Sequence, residues 1–412
     1  QPALARRKHD VRPRRPKPTP KRAIIIGSAA GGLALAAIVV GVAWPSAPPI
    51  TARPRADAQG REALEIRCAT CPDGTKVSID GKAATIDKHA ALVPLATELA
   101  VGDTRLKVAL DRPHGRAETA NVSVHVGYRI RPDLGTLEGD RPAISIVAEA
   151  ARGTTMLLDG KPLALVDGRG LEKIDVADAL TGISEDVKTL TRQVPYTVTP
   201  DGGAPETGTV SVSVGIVPLY VDAPGPRITT DQATFVLAGR TMKGAEILAA
   251  GRPIPVKADG TFAQVMNVSS VGATQIEVRA RMSGMAPRLS PIRVRRVDSL
   301  DAAAKEFLHD EQPADAAALV AGEAPVGKPV VVTGDVLEAR RQGYQTIVLV
   351  NVPKSSGCGD DAGCTVRLVV GGESAAKKGD KLRAFGVVAP PFSADGKKVP
   401  EVRVEFTTKG AP

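Results

Sequence analysis

Residues 74–82 read GTKVSIDGK, and residues 153–161 repeat the pattern as GTTMLLDGK. In each copy a short alternating strand runs into Asp-Gly, which favours a tight hairpin because glycine accepts a positive φ without steric cost. A weaker third copy, GAEILAAGR, occupies residues 244–252. A repeat of this kind predicts a row of similar β-rich units along the chain.

The closing strands of the first two units also match. Residues 118–134 read ETANVSVHVGYRIRPDL, and residues 206–222 read ETGTVSVSVGIVPLYVD. Both contain Val-Ser-Val-x-Val, whose alternation places the apolar side chains on one face of a strand. In the third unit, residues 275–297 predict two alternating strands at this place. Units with several short strands each favour small β-sandwiches.

The composition of the 412-residue chain supports a mainly β fold. Only 3% of the residues are aromatic, so the cores must be built from aliphatic side chains, which suit strands when they alternate with polar residues. The 41 glycines and 33 prolines indicate many turns between these strands.

The net charge of +9 is concentrated at the N-terminus. Residues 1–22 hold nine Lys and Arg against the single acid Asp10, so the remaining 390 residues carry a net charge of +1. This distribution predicts a basic tail rather than a basic binding surface, which argues against nucleic acid as a partner.

An uncharged apolar stretch follows the basic tail. Residues 23–44 read AIIIGSAAGGLALAAIVVGVAW. As a helix they would rise about 33 Å, enough to cross the roughly 30 Å hydrocarbon core of a bilayer. The positive-inside rule then predicts a single-pass protein in contact with membrane lipid, with a cytoplasmic N-terminus and the rest of the chain outside. A cleaved signal peptide is the alternative, although its hydrophobic region would be unusually long.

Small residues recur along this predicted helix. Gly27 and Gly31 form a G-x-x-x-G, and Ser28 and Gly32 form a second pair at the same spacing. Because such spacing lets two transmembrane helices approach closely, a homodimer through this helix is one prediction. The alternative is that glycine and alanine are simply common in membrane helices.

Two short sequences resemble known modules. PDGTKVSIDGK at residues 72–82 resembles the PEGA-type modules of bacterial envelope proteins, and AGRPIPVKADGTF at residues 250–262 is similar to bacterial Ig-like modules. Both resemblances imply spacer or binding modules without catalytic residues. With the predicted membrane helix, they imply a protein of the bacterial inner (cytoplasmic) membrane whose bulk is periplasmic or otherwise extracytoplasmic.

The C-terminal part of the chain departs from the repeat. Residues 299–322 are rich in alanine and predict two short helices, with Ser299 as the N-cap of the first and Pro313 between them. Five strands are predicted after them, at residues 329–339, 346–352, 364–370, 381–389 and 401–406. Their order and lengths favour an OB-like barrel, in which Gly334 would provide a tight bend and residues 371–379 would have to hold the usual helix.

These patterns divide the chain into eight predicted segments. They are a basic cytoplasmic tail (1–22), a transmembrane helix (23–44), a linker (45–62), three β-sandwich repeats (63–137, 138–222 and 223–297), a short helical connector (298–326) and a five-stranded OB-like barrel (327–412).

The four cysteines are predicted to form local disulfides, because an extracytoplasmic compartment is oxidising. Cys358 and Cys364 flank a short loop between two strands, and Cys68 and Cys71 form a C-x-x-C at the start of the first unit. A redox-active C-x-x-C would need a helix N-terminus to lower the thiol pKa, whereas a strand precedes this one.

No catalytic constellation stands out, so the sequence predicts a non-enzymatic protein that needs no cofactor or metal. The chain lacks a G-x-S-x-G elbow, a P-loop and a G-x-G-x-x-G after a strand, and its five histidines are scattered. An OB-like barrel raises single-strand binding, for which basic residues and aromatic platforms are needed. The candidates are Lys377, Lys378, Lys381 and Arg383, with Phe385 and Tyr344.

Three functions remain open at this point. The first is an envelope scaffold or adaptor that presents β-domains to envelope proteins or cell-wall polymer. The second is the extracytoplasmic sensor of a signalling protein with a kinase-like or other cytoplasmic domain before residue 1. The third is a set of accessory modules of an envelope carbohydrate-active enzyme.

Overall fold

The computed structural model describes residues 34–38, 50–57, 61–353, 365–394 and 396–410. Strands dominate these residues, so the mainly β prediction is confirmed. They form three two-sheet units, which two helices connect to a closed five-stranded barrel.

The predicted transmembrane helix at residues 23–44 is described only in part. Ala34–Ile38 forms a strand, β1, which pairs antiparallel with residues 125–130. The structure differs from the prediction at these residues because an uncharged apolar run suits a strand added to a sheet as well as a helix. Within the described part of the chain, no helix is both long and apolar enough to cross a bilayer. The basic tail and the small residues Gly27, Ser28, Gly31 and Gly32 lie outside the described residues.

The first unit is a β-sandwich whose two sheets enclose one aliphatic core. One sheet has the order β2 (Ile50–Ala56), β3 (Glu62–Cys68), β6 (Ala90–Pro94). The other has the order β5 (Lys82–Thr85), β4 (Lys76–Ile79), β7 (Gly102–Asp111) and β8 (Glu118–Asp133). The sheets pack through fully buried side chains such as Leu64, Ile66, Val108 and Val124.

Strand β2 corrects the prediction of a linker at residues 45–62. It pairs with β3 along its whole length and buries Ala52 and Pro54, while Arg53 and Arg55 between them are exposed. The high content of Pro, Ala and Arg in residues 45–62 favoured a spacer, and it concealed the alternation of buried and exposed residues along β2. Proline is tolerated here because β2 is an edge strand, so one side of its backbone needs no partner.

The second unit is a sandwich of the same kind. One sheet has the order β12 (Arg169–Asp175), β9 (Ala143–Ala150), β8. The other has the order β11 (Lys161–Leu163), β10 (Thr155–Leu158), β13 (Lys188–Thr199), β14 (Glu206–Ile216). A 3-10 turn at Gly135–Glu138 and a four-residue helix α1 (Ala177–Leu180) connect its strands.

Strand β8 belongs to both sandwiches. Its first half pairs with β7 as the last strand of the first unit, and residues 128–133 pair with β9 as the first strand of the second. One continuous sheet therefore runs through both units. The predicted boundary between the first two repeats, at residue 137, placed the whole of β8 in the first repeat. In the structure β8 changes from one repeat to the next at about Gly127.

The third unit repeats the arrangement with one added strand. Its first sheet has the order β15 (Leu219–Ala223), β17 (Thr234–Thr241), β20 (Thr261–Asn267). Its second has the order β16 (Arg227–Thr230), β22 (Arg288–Arg296), β21 (Gly272–Arg281), β18 (Glu246–Ala249), β19 (Arg252–Ile254), and β16 runs parallel to β22. The two predicted alternating strands are β21 and β22. Leaving the added β16 aside, all three units share an Ig-like pattern of a three-stranded sheet against a four-stranded one.

The repeated sequence forms the same hairpin in each unit. The turn residues are Asp80-Gly81 between β4 and β5, Asp159-Gly160 between β10 and β11, and Ala250-Gly251 between β18 and β19. Both residues of each pair have a positive φ, from 45° to 77°. That conformation matches the twist of two-residue hairpins, so the hairpin prediction is confirmed in all three copies.

The predicted helical connector is present. Helix α2 (Leu300–Asp310) begins at Ser299, whose side chain accepts a hydrogen bond from the Ala302 backbone, and α3 (Ala316–Val320) is capped in the same way by Asp315. Phe307 of α2 packs edge-on against Phe385 and Phe406 on the outside of the barrel. The connector is therefore docked on the barrel.

The predicted five-stranded barrel is present and is closed. Its strands are β23 (Pro329–Gln342), β24 (Gln345–Asn351), β25 (Thr365–Gly371), β26 (Lys381–Ala394) and β27 (Lys397–Lys409). Their order around the barrel is β23-β24-β25-β27-β26, and β25 and β27 are parallel. Residues 371–379 contain no helix.

The structure bears on one of the two predicted disulfides. Cys68 and Cys71 are bonded to each other, and both are buried in the core of the first sandwich. Cys68 is the last residue of strand β3, and Cys71 lies just beyond the turn that follows it, so the disulfide closes this turn. Cys358 and Cys364 lie outside the described residues, and their disulfide stays a prediction.

Candidate binding groove

A fixed junction joins the third sandwich to the barrel. Thr229 of β16 donates a hydrogen bond of 2.7 Å to Glu405 of β27, and Arg227 lies 3.3 Å from the same carboxylate. Arg227 also lies 3.4 Å from Glu311 at the end of α2. One arginine therefore connects the sandwich, the connector and the barrel.

Glycine at position 371 permits the closest approach across this junction. A Cβ atom at Gly371 would lie 2.6 Å from the Gly225 backbone nitrogen and 2.9 Å from Pro224. Both neighbouring atoms are backbone, which cannot rotate away as a flexible side chain does. A side chain at position 371 would therefore push the two domains apart.

A groove of about 360 Å³ opens beside this contact. Strands β15 and β17 of the third sandwich form one wall, and β25, β26 and β27 of the barrel form the other. The turn between β23 and β24 supplies the rim, with Gln342, Gly343 and Gln345. A volume of this size lies in the range of small-molecule sites, which is roughly 300–1,000 Å³.

The barrel wall combines an ion pair with an exposed aromatic ring. Arg367 of β25 pairs with Glu401 of β27, which lies directly beside it in the sheet. The guanidinium of Arg367 also lies over the ring of Phe392, 4.3 Å from its centre. Phe392 remains 41% exposed, so its ring is available to a ligand.

The sandwich wall repeats this combination. Arg240 of β17 lies 2.7 Å from Glu185 and 3.6 Å from Asp222, and its guanidinium lies 4.6 Å from the centre of the Tyr220 ring. Burial raises the pKa of Asp222 above its usual value, although the positive charge of Arg240 acts against this. Each wall thus presents an arginine stacked on an aromatic ring and neutralised by carboxylates.

Arg403 of β27 is different from the other arginines of the groove. It is half-buried between the two walls, next to Val369 in the sheet. No carboxylate of the described residues lies within ion-pair distance of it. Among the described residues, Arg403 is therefore the arginine of the groove that has no ion-pair partner.

The groove presents groups that can bind a ligand. Its walls present guanidinium, carboxylate, amide and aromatic groups, without a cysteine or histidine. In the described ranges, no cluster of three His, Cys, Asp or Glu side chains could hold a metal ion.

The aromatic residues singled out from the sequence have other roles. Phe385 is fully buried and stacks on Phe406 with ring centres 4.5 Å apart, and Tyr344 lies in the turn between β23 and β24. The basic residues Lys377, Lys378, Lys381 and Arg383 do not line the groove. Sequence reasoning missed Tyr220 and Phe392. The signal for Tyr220 was its alternation with the buried Leu219 and Val221, which places it on the outward face of its strand.

Replacing Gly371 by alanine is expected to weaken the junction and open the groove, because the new methyl group would collide with the backbone of residues 224 and 225. We expect a loss of about 1–3 kcal/mol, the usual range for an added methyl group in a packed contact. Hydrogen exchange of β16 and β27 measures this opening. Gly225→Ala is the matched control, since its Cβ would meet nothing closer than 3.7 Å. Equal exchange in the two variants would show that the contact does not hold the domains together.

The comparisons with known proteins give structural similarities only. The chain matches no protein family and no curated protein. It is similar to SGBP-B of the Bacteroides ovatus mixed-linkage glucan utilization locus in complex with a mixed-linkage heptasaccharide, at 12% identity and a TM-score of 0.15 over 78% of this chain and 84% of that one. It is also similar to the human desmocollin-1 ectodomain, at 12% identity and a TM-score of 0.16 over 60% of this chain and 56% of that one. A third similar structure is a tetra-tandem repeat from the extending region of a large adhesion protein, at 14% identity and a TM-score of 0.15 over 85% of this chain and 95% of that one. Scores this low carry no argument about function.

Proposed function

We propose that this chain is a non-enzymatic envelope protein, a scaffold or adaptor that binds protein or cell-wall polymer through the groove between its third sandwich and its barrel. The groove is the observation that supports this proposal. It has the volume of a ligand site, exposed aromatic surface and hydrogen-bonding groups. Binding is what such a surface can do.

The barrel type supports the same function. Its strand order and its parallel β25–β27 pair are those of an OB-type barrel. OB-type barrels bind oligomers on the face of their second and third strands, between the loops that follow the first and fourth strands. In this chain Gln345 of the second strand and Arg367 of the third line the groove, together with Phe392 near the end of the fourth.

The three sandwiches are proposed to carry the barrel away from its point of attachment. Their junctions are fixed by backbone and by side-chain hydrogen bonds. Strand β8 runs through the first two units, and Arg279 of the third donates to the carbonyl oxygens of Glu138, Gly139 and Asp140 in the second, at 3.2, 2.8 and 3.2 Å. Such joints resist bending, as a spacer requires.

The proposed location is the outer side of a bacterial inner membrane. Two features support it: the basic tail followed by an uncharged apolar stretch at residues 1–44, and the Cys68–Cys71 disulfide, which suits an oxidising compartment. Attachment to membrane lipid through residues 23–44 would require β1 (Ala34–Ile38) to leave β8 and join a membrane helix, in which Gly27 and Gly31 would allow two copies to associate.

Retention on purified cell wall tests the binding function. We expect the full chain to co-sediment with insoluble cell-wall polymer or to cross-link to an envelope protein, and we expect Phe392→Ala to reduce either signal at least fivefold because it removes the exposed ring. Val265→Ala is the control, since Val265 is an exposed apolar residue of the third sandwich outside the groove. The proposal fails if neither ligand is retained, or if both variants retain it as well as the unchanged chain.

A further inference from the structure

The charges of the groove indicate what sign of ligand it accepts. Arg240 and Arg367 are neutralised by carboxylates of the protein, as described above, whereas Arg403 is half-buried and has no carboxylate partner among the described residues. A partly desolvated guanidinium gains most from an anion that it can bind with two parallel hydrogen bonds. A carboxylate has this geometry.

The two aromatic rings indicate a second property of the ligand. Phe392 and Tyr220 stand on opposite walls, and an arginine occupies one face of each. Phe392 keeps 41% of its surface exposed, and the C–H face of a sugar ring packs on exposed aromatic surface by dispersion and release of water. The amides of Gln342 and Gln345 at the rim can donate to and accept from hydroxyl groups.

The carboxylates of the groove argue against a densely charged ligand. Asp222 and Glu401 line it, and each would repel a chain that carries one phosphate per unit. Binding of single-stranded nucleic acid uses a basic track with several unpaired cations, whereas the described part of the groove offers Arg403 alone. The ligand that fits has sparse negative charge and many hydroxyl groups.

We propose that the groove binds an acidic glycan, with Arg403 pairing with a sugar carboxylate and Phe392 stacking on a neighbouring sugar ring. This proposal rests on the proposed function and names the ligand class of the same site. The groove volume of about 360 Å³ accommodates a short stretch of such a glycan, and the open side lets the polymer continue past the site.

Titration of the full chain with defined oligosaccharides tests the proposal. The probes are a hyaluronan oligosaccharide, which carries a carboxylate on every second sugar, and a neutral chitin oligosaccharide of equal length, with a single-stranded oligonucleotide as the third ligand, all at low and at physiological salt. We expect the hyaluronan oligosaccharide to bind at least tenfold more tightly than the chitin oligosaccharide, and Arg403→Gln to remove that preference. Arg293→Gln is the matched control, because Arg293 is an exposed arginine of the third sandwich without an ion pair in the described structure.

The outcomes separate this proposal from the more general one. Equal affinity for both oligosaccharides, equal effects of the two arginine variants, or preference for the oligonucleotide would each overturn the acidic-glycan assignment. If retention on cell wall or envelope protein still depends on Phe392 in those cases, the groove is a binding site for another ligand. If that dependence is also absent, the proposed function itself fails.

Discussion

Replacing Arg129 by leucine is expected to lower the free energy of unfolding of the first sandwich by about 3–5 kcal/mol, the usual cost of breaking a buried ion pair from one side. The side chain of Arg129 is only 3% exposed. It donates to Glu62 of β3 at 2.5 and 3.1 Å and to the Leu99 carbonyl oxygen at 2.5 Å, while its other nitrogen donates to Glu149 of β9 at 3.1 Å.

The loss of stability comes from Glu62, the carboxylate that remains buried when Arg129 is removed. Glu62 is as deeply buried as Arg129, and one of its oxygens already accepts the Leu99 N–H at 2.8 Å. Burial by itself would lower the pKa of Arg129, but the hydrogen bonds and the charge of Glu62 outweigh burial and raise it, so the arginine stays charged. Without it, Glu62 keeps a buried negative charge with no cation, or must take up a proton to be neutral.

The arginine also couples two domains, because it lies on the shared strand β8 and bonds to a carboxylate in each sandwich. Urea unfolding followed by hydrogen exchange should therefore show β3 and β9 opening at lower urea in Arg129→Leu. Arg131→Leu is the control: its side chain is exposed and pairs with Glu98, and such pairs contribute roughly 0–1 kcal/mol. A loss below 1 kcal/mol for Arg129→Leu would contradict the prediction, and recovery in the Glu62→Gln, Arg129→Met double variant would support its cause.

The parts of the fold that the sequence predicted are those that neighbouring residues determine. Asp-Gly at residues 80–81 and 159–160 needs no distant contact to make a hairpin, and its recurrence located the repeats. Alternation in Val-Ser-Val-x-Val likewise identified the long closing strands. The two helices of the connector were predicted from N-cap residues such as Ser299. Its side chain accepts a hydrogen bond from the first turn of the helix that it begins, so no distant contact is needed.

The parts that were missed depend on pairing between distant residues. Strand β2 looked like a spacer because Pro54 and its arginines mask an alternation that becomes visible only when β3 lies beside it. The sharing of β8 could not be predicted either, since a strand of 16 residues gives no sign of where it changes partner.

The groove was missed for the same physical reason. Tyr220, Arg240 and Phe392 come from strands far apart in the sequence, and no local pattern predicts that they share a groove. A basic loop and Phe385 drew attention instead, although that ring is fully buried in the contact with α2. One local feature of the barrel, the glycine bend of its first strand, was recognised from the sequence.

That bend, at Gly334, leads to the second large effect that we expect: Gly334→Ala should unfold the barrel or destabilise it by about 3 kcal/mol or more, at the upper end of the range for overpacking. Strand β23 changes partner at this point, since residues 329–335 pair with β26 and the strand pairs with β24 from Asp335 onward. Such a corner brings two backbones together. A Cβ atom at Gly334 would lie 2.2 Å from the Asn351 carbonyl oxygen and 2.6 Å from Val350.

The loss of barrel stability should be large because neither of the two neighbouring groups can move away from the new methyl group. The Asn351 oxygen is backbone in β24, and Val350 is fully buried in the barrel core. Gly127→Ala is the matched control in a strand, since its Cβ would meet only His125 at 3.8 Å, and it should be neutral or stabilise slightly by restricting the unfolded chain. Hydrogen exchange of β23, β24 and β26 reports barrel opening separately from the sandwiches. Full protection of these strands in Gly334→Ala would mean that the barrel corner tolerates a side chain and that closure is held elsewhere.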